Sequence, residues 1–388
     1  MGLNERLLKR SNSYVYYKDN YYKLKESHKK LEEENRQLSS KYDSIENENS
    51  ALKSELVKQD EKIAKLQKKL ADCIKPKIID KLRNEQYSDL KIAIKTPNPK
   101  GQHFWGDYFF ALSLKKSFEK LGFNVVIQDR EDWYDDVKAD INLVLRGKFE
   151  YKPNYDEINI MWNISHPDMV DKEEYESYDI CFIASEKYAN LLKEDVSTIV
   201  EPLLQCTDQD IFFNEKDDSL DEGVLFVGVT RGVYRDIIKD VLKTDHDVSI
   251  YGMGWEKFVD EKFIKGQFIE NRELHKYYSS CKILLNDHWE DMKEMDFPSN
   301  RLFDALACGT FVISDKIPSA ETLFEGTVVT YDGVDDLDKK LEYYLSHDEE
   351  REKIAERGKE LVLKSHTFDN RADTILNCLK NIDCEGFK

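Results

Sequence analysis

From Tyr14 to Leu70 the chain contains neither proline nor glycine, and apolar side chains return every seven residues. One series runs Tyr17, Leu24, Leu31, Leu38, Ile45, Leu52, Gln59, Leu66; a second, four residues later, runs Tyr21, His28, Asn35, Tyr42, Asn49, Leu56, Ile63, Leu70. Glutamate and lysine crowd the remaining positions. A helix this polar buries only a narrow seam, and that seam is satisfied by another like it. Leucine at d with asparagine at a selects a parallel two-stranded coiled coil, because buried asparagines pair across a dimer and penalise other registers. The spacing therefore predicts a rod roughly 80 Å long that makes a homodimer through residues 14–72. The alternative is a single long helix lying on the globular part. Pro76 is expected to end the rod, with residues 1–75 the coiled-coil helix and 76–89 a linker.

From Leu90 the pattern changes to short β-branched runs alternating with helical stretches, the signature of a parallel sheet with crossover helices. Strands are expected at 91–96, 124–129, 141–147, 157–165, 179–185 and 197–203. A second set starts at 224–230 and continues through Asp247–Gly254, Phe263–Ile269, Lys282–Asp287, Thr310–Asp315 and Thr327–Gly333. After Gly333 the chain reads as helix to its end. The fold class is α/β: two Rossmann-like domains facing a cleft, preceded by a coiled-coil helix. The expected boundaries are 90–210 for an acceptor-side domain and 211–388 for a donor-side domain carrying the C-terminal helices. Open α/β sheets bind ligands at the carboxyl ends of their strands, so chemistry is sought there.

Asp and Glu number 77 against 58 Lys and Arg, a net charge of -19. Such a chain repels a phosphate backbone, which argues against nucleic acid as its partner. No run of about 18 apolar residues is present to span a membrane, and the N-terminal stretch lacks the apolar core of a secretory signal. Seven cysteines at 73, 181, 206, 281, 308, 378 and 384 form no C-x-x-C pair, so neither a disulfide framework nor a cysteine metal site is expected and the cytoplasm is the expected compartment.

The most informative stretch is Asn286-Asp-His-Trp-Glu-Asp-Met through Phe297-Pro-Ser-Asn-Arg-Leu-Phe-Asp-Ala-Leu-Ala-Cys-Gly309. Pro298 interrupts a loop and Ser299 is placed to cap a helix opening at Asn300. A helix start leaves amides free and carries a partial positive charge, which suits a diphosphate. Asp296 and Asp304, with seven residues between them, flank that start. Ordinary capping of a buried helix is the competing reading.

This stretch resembles the nucleotide-sugar site of GT-B glycosyltransferases of the group 1, or GT4-like, kind, and more narrowly their spore-maturation-protein-like branch. That family carries two acids with seven between, usually glutamates. The resemblance implies that Asp304 holds the ribose hydroxyls and Asp296 lies near the donor sugar, with Glu294 as an alternative. Other matches follow in order. Phe226-Val-Gly-Val-Thr-Arg-Gly-Val-Tyr-Arg235 is similar to the turn where a basic residue, here Arg231 or Arg235, grips the diphosphate; a guanidinium fork suits phosphate oxygens. His166, after the strand ending near Ser165, stands where the family has a histidine facing the donor sugar. Cys206-Thr-Asp-Gln-Asp-Ile-Phe212 resembles the interdomain hinge. Gly106 and Asp107 follow the first strand on the acceptor side.

The resemblance thus implies a glycosyltransferase that moves a sugar from a nucleotide-diphosphate donor to a glycan, cell-wall polymer or protein, with retention of configuration. Its expected catalytic residues are His166, Asp296 and Arg231. Its expected donor-binding residues are Arg231, Arg235, Ser299, Asn300, Arg301 and Asp304. Should the enzyme invert, His166 or Asp107 would serve as base. Asp208-x-Asp210 and Asp336-x-Asp338 match a metal tripeptide, but such triplets are cheap in so acidic a chain, and neither a metal nor another cofactor is expected. Two other readings stand beside this one: a sugar-nucleotide epimerase, and a dimeric scaffold carrying a sugar-nucleotide-binding or inactive transferase domain.

Overall fold

The computed structural model describes residues 3–102, 105–220 and 222–382. Residues up to Lys69 form one unit and those from Leu70 a second. The first is the long part of helix α1 (Leu3–Arg83). Its d-position side chains lie open, Leu24 73%, Leu38 64% and Leu52 63% exposed.

Helix α1 does not stop at Pro76, which sits inside it. An internal proline costs a backbone hydrogen bond and roughly 3 kcal/mol. Burial offsets that cost: Ile78, Ile79 and Leu82 are within the core of the second unit. Lys75 forms a buried ion pair with Asp179 at 2.6 Å. The stretch 76–89 is therefore no linker but the packed end of α1, followed by a single 3-10 turn at Tyr87–Asp89.

Six parallel strands make the first sheet: β1 (Lys91–Lys95), β2 (Asn124–Gln128), β3 (Ile141–Arg146), β4 (Ile158–Asn163), β5 (Ile180–Ile183) and β6 (Ile199–Pro202). Their order is β2-β1-β3-β4-β5-β6. Both β3 and β4 are buried along their whole length, as strands covered on two faces must be. Helices α2 (Gly106–Lys120), α3 (Lys172–Glu176) and α4 (Glu186–Asp195) provide crossovers.

The second sheet holds β7 (Val224–Val227), β8 (Ser249–Tyr251), β9 (Ile264–Gly266), β10 (Ile283–Asn286), β11 (Val312–Ser314) and β12 (Val328–Thr330). Between them run α5 (Asp236–Val241), α6 (Leu274–Ser280), α7 (Glu290–Glu294), α8 (Asn300–Ala307) and α9 (Ala320–Leu323). The order β12-β11-β10-β7-β8-β9 puts the reversal of winding between β7 and β10, so the loops after those two strands flank a ready-made crevice.

The chain closes with α10 (Val334–Ser346), α11 (Asp348–Ser365) and α12 (Phe368–Asn381). The last of these leaves the second domain. Phe368, Ala372, Ile375, Leu376 and Leu379 pack in the first domain's core, with the Phe368 ring 4.6 Å from that of Phe110. The outgoing and returning crossings touch at a Thr207–Thr367 bridge. An α12 whose apolar face matches the first sheet's helices thus overrides the expected 211–388 boundary. The six described cysteines are free; Cys384 lies outside the described residues.

Candidate active site

The turn after β7 is held in place by its neighbours. Gly228 donates its amide to the Tyr251 carbonyl at 2.8 Å, and its own carbonyl accepts from Trp255 Nε1 at 2.8 Å. Any Cβ on Gly228 would lie 2.9 Å from Arg235 Nη1 and 3.1 Å from Arg301 Nη2. Glycine is needed here because two guanidiniums close on it. Gly252, at φ +147°, serves the same turn, since a Cβ there would fall 2.1 Å from the Gly228 carbonyl oxygen.

Arg235 is buried, donating Nε to Asp287 Oδ2 at 2.8 Å and Nη1 to the Val229 carbonyl at 3.0 Å. Its Nη2 meets the second Asp287 oxygen, completing a fork. Burial and the Arg301 and Arg231 charges push against the Arg235 cation, and the Asp287 carboxylate holds it ionised. The expected diphosphate ligand is thus already neutralised within its own domain.

Arg231 and Arg301 differ. Arg301 donates Nη1 to Asn286 Oδ1 at 2.8 Å, and the Arg231 guanidinium lies 4.1 Å over the Trp289 ring. Among the described residues neither has a carboxylate within salt-bridge distance. Burial, then the nearby Arg301 charge, lowers Arg231 to about 9, so it remains cationic at neutral pH.

The bend before α8 is not an open loop. Phe297 is fully buried and sits with Met292 in a core cluster built mostly from the first domain. The Pro298 carbonyl accepts from Gln205, which also donates to the Ile164 carbonyl. Ser185 of the first domain donates to the Met295 carbonyl at 2.7 Å. These bonds clamp the two domains together beside the site. Ser299 occupies the cap position with extended backbone but makes no side-chain cap bond, so α8 starts without the expected satisfaction of its amides.

Asp304 is buried, accepting from Asn300 Nδ2 at 2.8 Å; burial lifts its carboxyl to about 8. Asp304 and Asn300 line a cavity of about 80 Å³ with Gly106, Phe109, Asp208 and Asn271. The start of α2 therefore faces that of α8. Asp296, expected near the donor sugar, uses its Oδ1 to accept the Ser319 amide at 2.9 Å and hydroxyl at 2.8 Å. Buried in a left-handed turn at φ +62°, it fastens the loop ahead of α9.

A second group meets across the domains. His166, two residues past Ile164 in a left-handed conformation at φ +53°, lies with its ring 5.4 Å from that of Trp289. Burial, with Lys148 next, lowers its pKa. Lys148 Nζ is 5.9 Å from the Trp289 ring. Half-buried Asp107, at the start of α2, is raised to about 6 by loss of water, with Lys148 opposing. Sequence reasoning thus assembled most of one wall and missed Asp287, Trp289, Lys148, Asp168 and Asp291. The motif Asn-Asp-His-Trp-Glu-Asp carried three of these, but only the packing of its loop against the first domain shows what they face.

Comparisons with known proteins agree with this architecture. Residues 231–377 match a family described as glycosyl transferase-like. A 151-residue stretch is 26% identical to spore protein CgeB of Bacillus subtilis (strain 168), covering 34% of this chain and 46% of that relative. By fold this is a GT-B chain, and its second domain is similar to a glycosyl transferase-like family. Solved GT-B structures superpose on most of the chain. Sucrose-phosphate synthase from Thermosynechococcus elongatus does so with a TM-score of 0.56 at 11% identity, covering 74% of this chain and 98% of that one. Anabaena HepE, in complex with UDP and glucose, gives 0.54 at 9% identity over 76% and 100%. The chain spans less than half the length of its curated relative CgeB. Among the described residues no helix of this GT-B chain is long and apolar enough to cross a membrane.

Proposed function

We propose that this chain transfers a sugar from a nucleotide-diphosphate donor to an acceptor hydroxyl on a glycan, a cell-wall polymer or a protein. The observation that carries the reading is the proximity of two buried cations at the winding reversal of the second sheet: Arg301, which closes on Gly228, and Arg231, which feels the Arg301 charge, neither of them in a salt bridge among the described residues. In a chain of net charge -19, an unneutralised pair of guanidiniums calls for an anion.

The difficult step is departure of the diphosphate from the anomeric carbon through an oxocarbenium-like state. Arg231, Arg301 and the uncapped start of α8 stabilise the growing phosphate charge; preorganised donors of this kind contribute about 3–4 kcal/mol each. Asp304 and Asn300 are assigned to the ribose side and Gly106 and Asp107 to the acceptor side. With retention, the leaving phosphate takes the acceptor proton, and His166 stands beside the sugar. With inversion, Asp107, already raised toward neutrality, is the base to test. HepE's complex with UDP and glucose makes UDP-sugars the first donors to try. The exposed heptad seam supports a second part of the proposal, that the rod pairs two copies of the chain.

The test is a panel of UDP-, GDP- and dTDP-sugars with and without candidate acceptors, read by nucleoside diphosphate release and sugar analysis. Acceptor-dependent release is the expected result. Conversion of the donor sugar without acceptor would mark an epimerase. No turnover and no thermal shift with any donor would leave a scaffold, because a ligand at 100 times its Kd stabilises by about 2.7 kcal/mol.

A further inference from the structure

We propose that His166, Asp168 and Asp291 form a divalent-cation site bridging the two Rossmann-like domains. His166 and Asp168 come from the turn after β4 and Asp291 from the first turn of α7. One ligand atom from each lies within 4.8 Å of the others. The group is separate from both Asp-x-Asp tripeptides.

Two buried polar groups meet there at ion-pair but not hydrogen-bond distance. The His166 side chain is 10% exposed, and its Nδ1 stands 3.6 Å from Asp291 Oδ2, too far for a hydrogen bond. No described hydrogen bond engages its ring nitrogens. Asp291 Oδ2 is itself buried without a hydrogen-bond partner. Buried polar atoms left this way are costly and call for an occupant. Asp168, exposed at the rim, supplies a second carboxylate.

An imidazole nitrogen with two carboxylate oxygens suits Mn²⁺, Fe²⁺, Co²⁺ or Zn²⁺ better than the all-oxygen ions. Three protein ligands leave coordination positions for water or a substrate oxygen. Lys148, Arg231 and Arg146 are the nearby cations, and they oppose the ion's charge, which sets a moderate affinity. Because its ligands belong to both domains, the ion would favour the relative position in which they meet.

The experiment titrates the chelator-stripped full-length protein with Mn²⁺, reading free ion by electron paramagnetic resonance, and with Zn²⁺ by calorimetry. We expect one cation per chain, bound about tenfold or more weakly by Asp168→Asn and by Asp291→Asn. Asp168 is exposed, so its variant keeps the fold, which far-UV circular dichroism verifies. No saturable binding of either ion, or equal binding by both variants, overturns the site. No nucleotide sugar is used, so failure here leaves the transferase reading standing.

Discussion

Three arginines reach the crevice, and their neighbours give them different work. Arg235 is spent on Asp287, while Arg231 and Arg301 keep their charge available. Arg231→Ala should therefore lower turnover about tenfold or more with an unchanged unfolding midpoint. Arg235→Ala should instead destabilise by about 3–5 kcal/mol, because it strands Asp287 in the interior; paired kinetics and urea titrations separate the two. Asp304 makes a prediction about pH. Its carboxyl rises from 3.8 to about 8 on folding, so its contribution to stability is full below the unfolded value and is lost as pH rises through the folded one. The Tm of the wild-type chain should fall as pH rises from about 4 to about 8, and Asp304→Asn should flatten that slope. Ser299, Asn300 and Arg301 were legible because proline followed by a capping residue marks a helix start. The spacing of Asp296 to Asp304 says nothing about Ser319, which is 23 residues away and donates twice to its Oδ1.

At the scale of elements, α1 shows how far periodicity reaches. The heptads announce a helix, and its leucines at d lie exposed, as the proposed pairing of two rods requires. The wild-type chain should sediment as a dimer, and Leu31→Asp with Leu38→Asp as a monomer that still binds nucleotide. Local rules failed at Pro76, where the proline penalty is outweighed by burying Ile78, Ile79 and Leu82 in a core assembled from distant strands. Strand identity, by contrast, was legible for all twelve strands. Short β-branched runs bounded by turn residues have few other solutions, and the errors are confined to one to three residues at their ends. Helix α7 is the opposite case: its five residues have no pattern of their own and take their place from Met292 and Phe297 seated in the first domain.

The whole molecule is closed by its last helix. Because α12 returns to the first domain, the second cannot be cut away at Asp210 without exposing Phe368 and its neighbours. Phe368→Ala should cost about 3–5 kcal/mol in urea denaturation, although the residue is remote in sequence from everything it touches. The same return explains why the domains meet so closely, with the two crossings paired at Thr207 and Thr367. By itself the sequence determined the rod, the two sets of strands and the helix start at Ser299, since each depends on residues within a turn or two of one another. Which arginine stays free, which aspartate is spent on a loop and which groups meet between the domains were decided only by tertiary structure. Charge pairing and desolvation depend on distance in space, and chain spacing does not encode that distance.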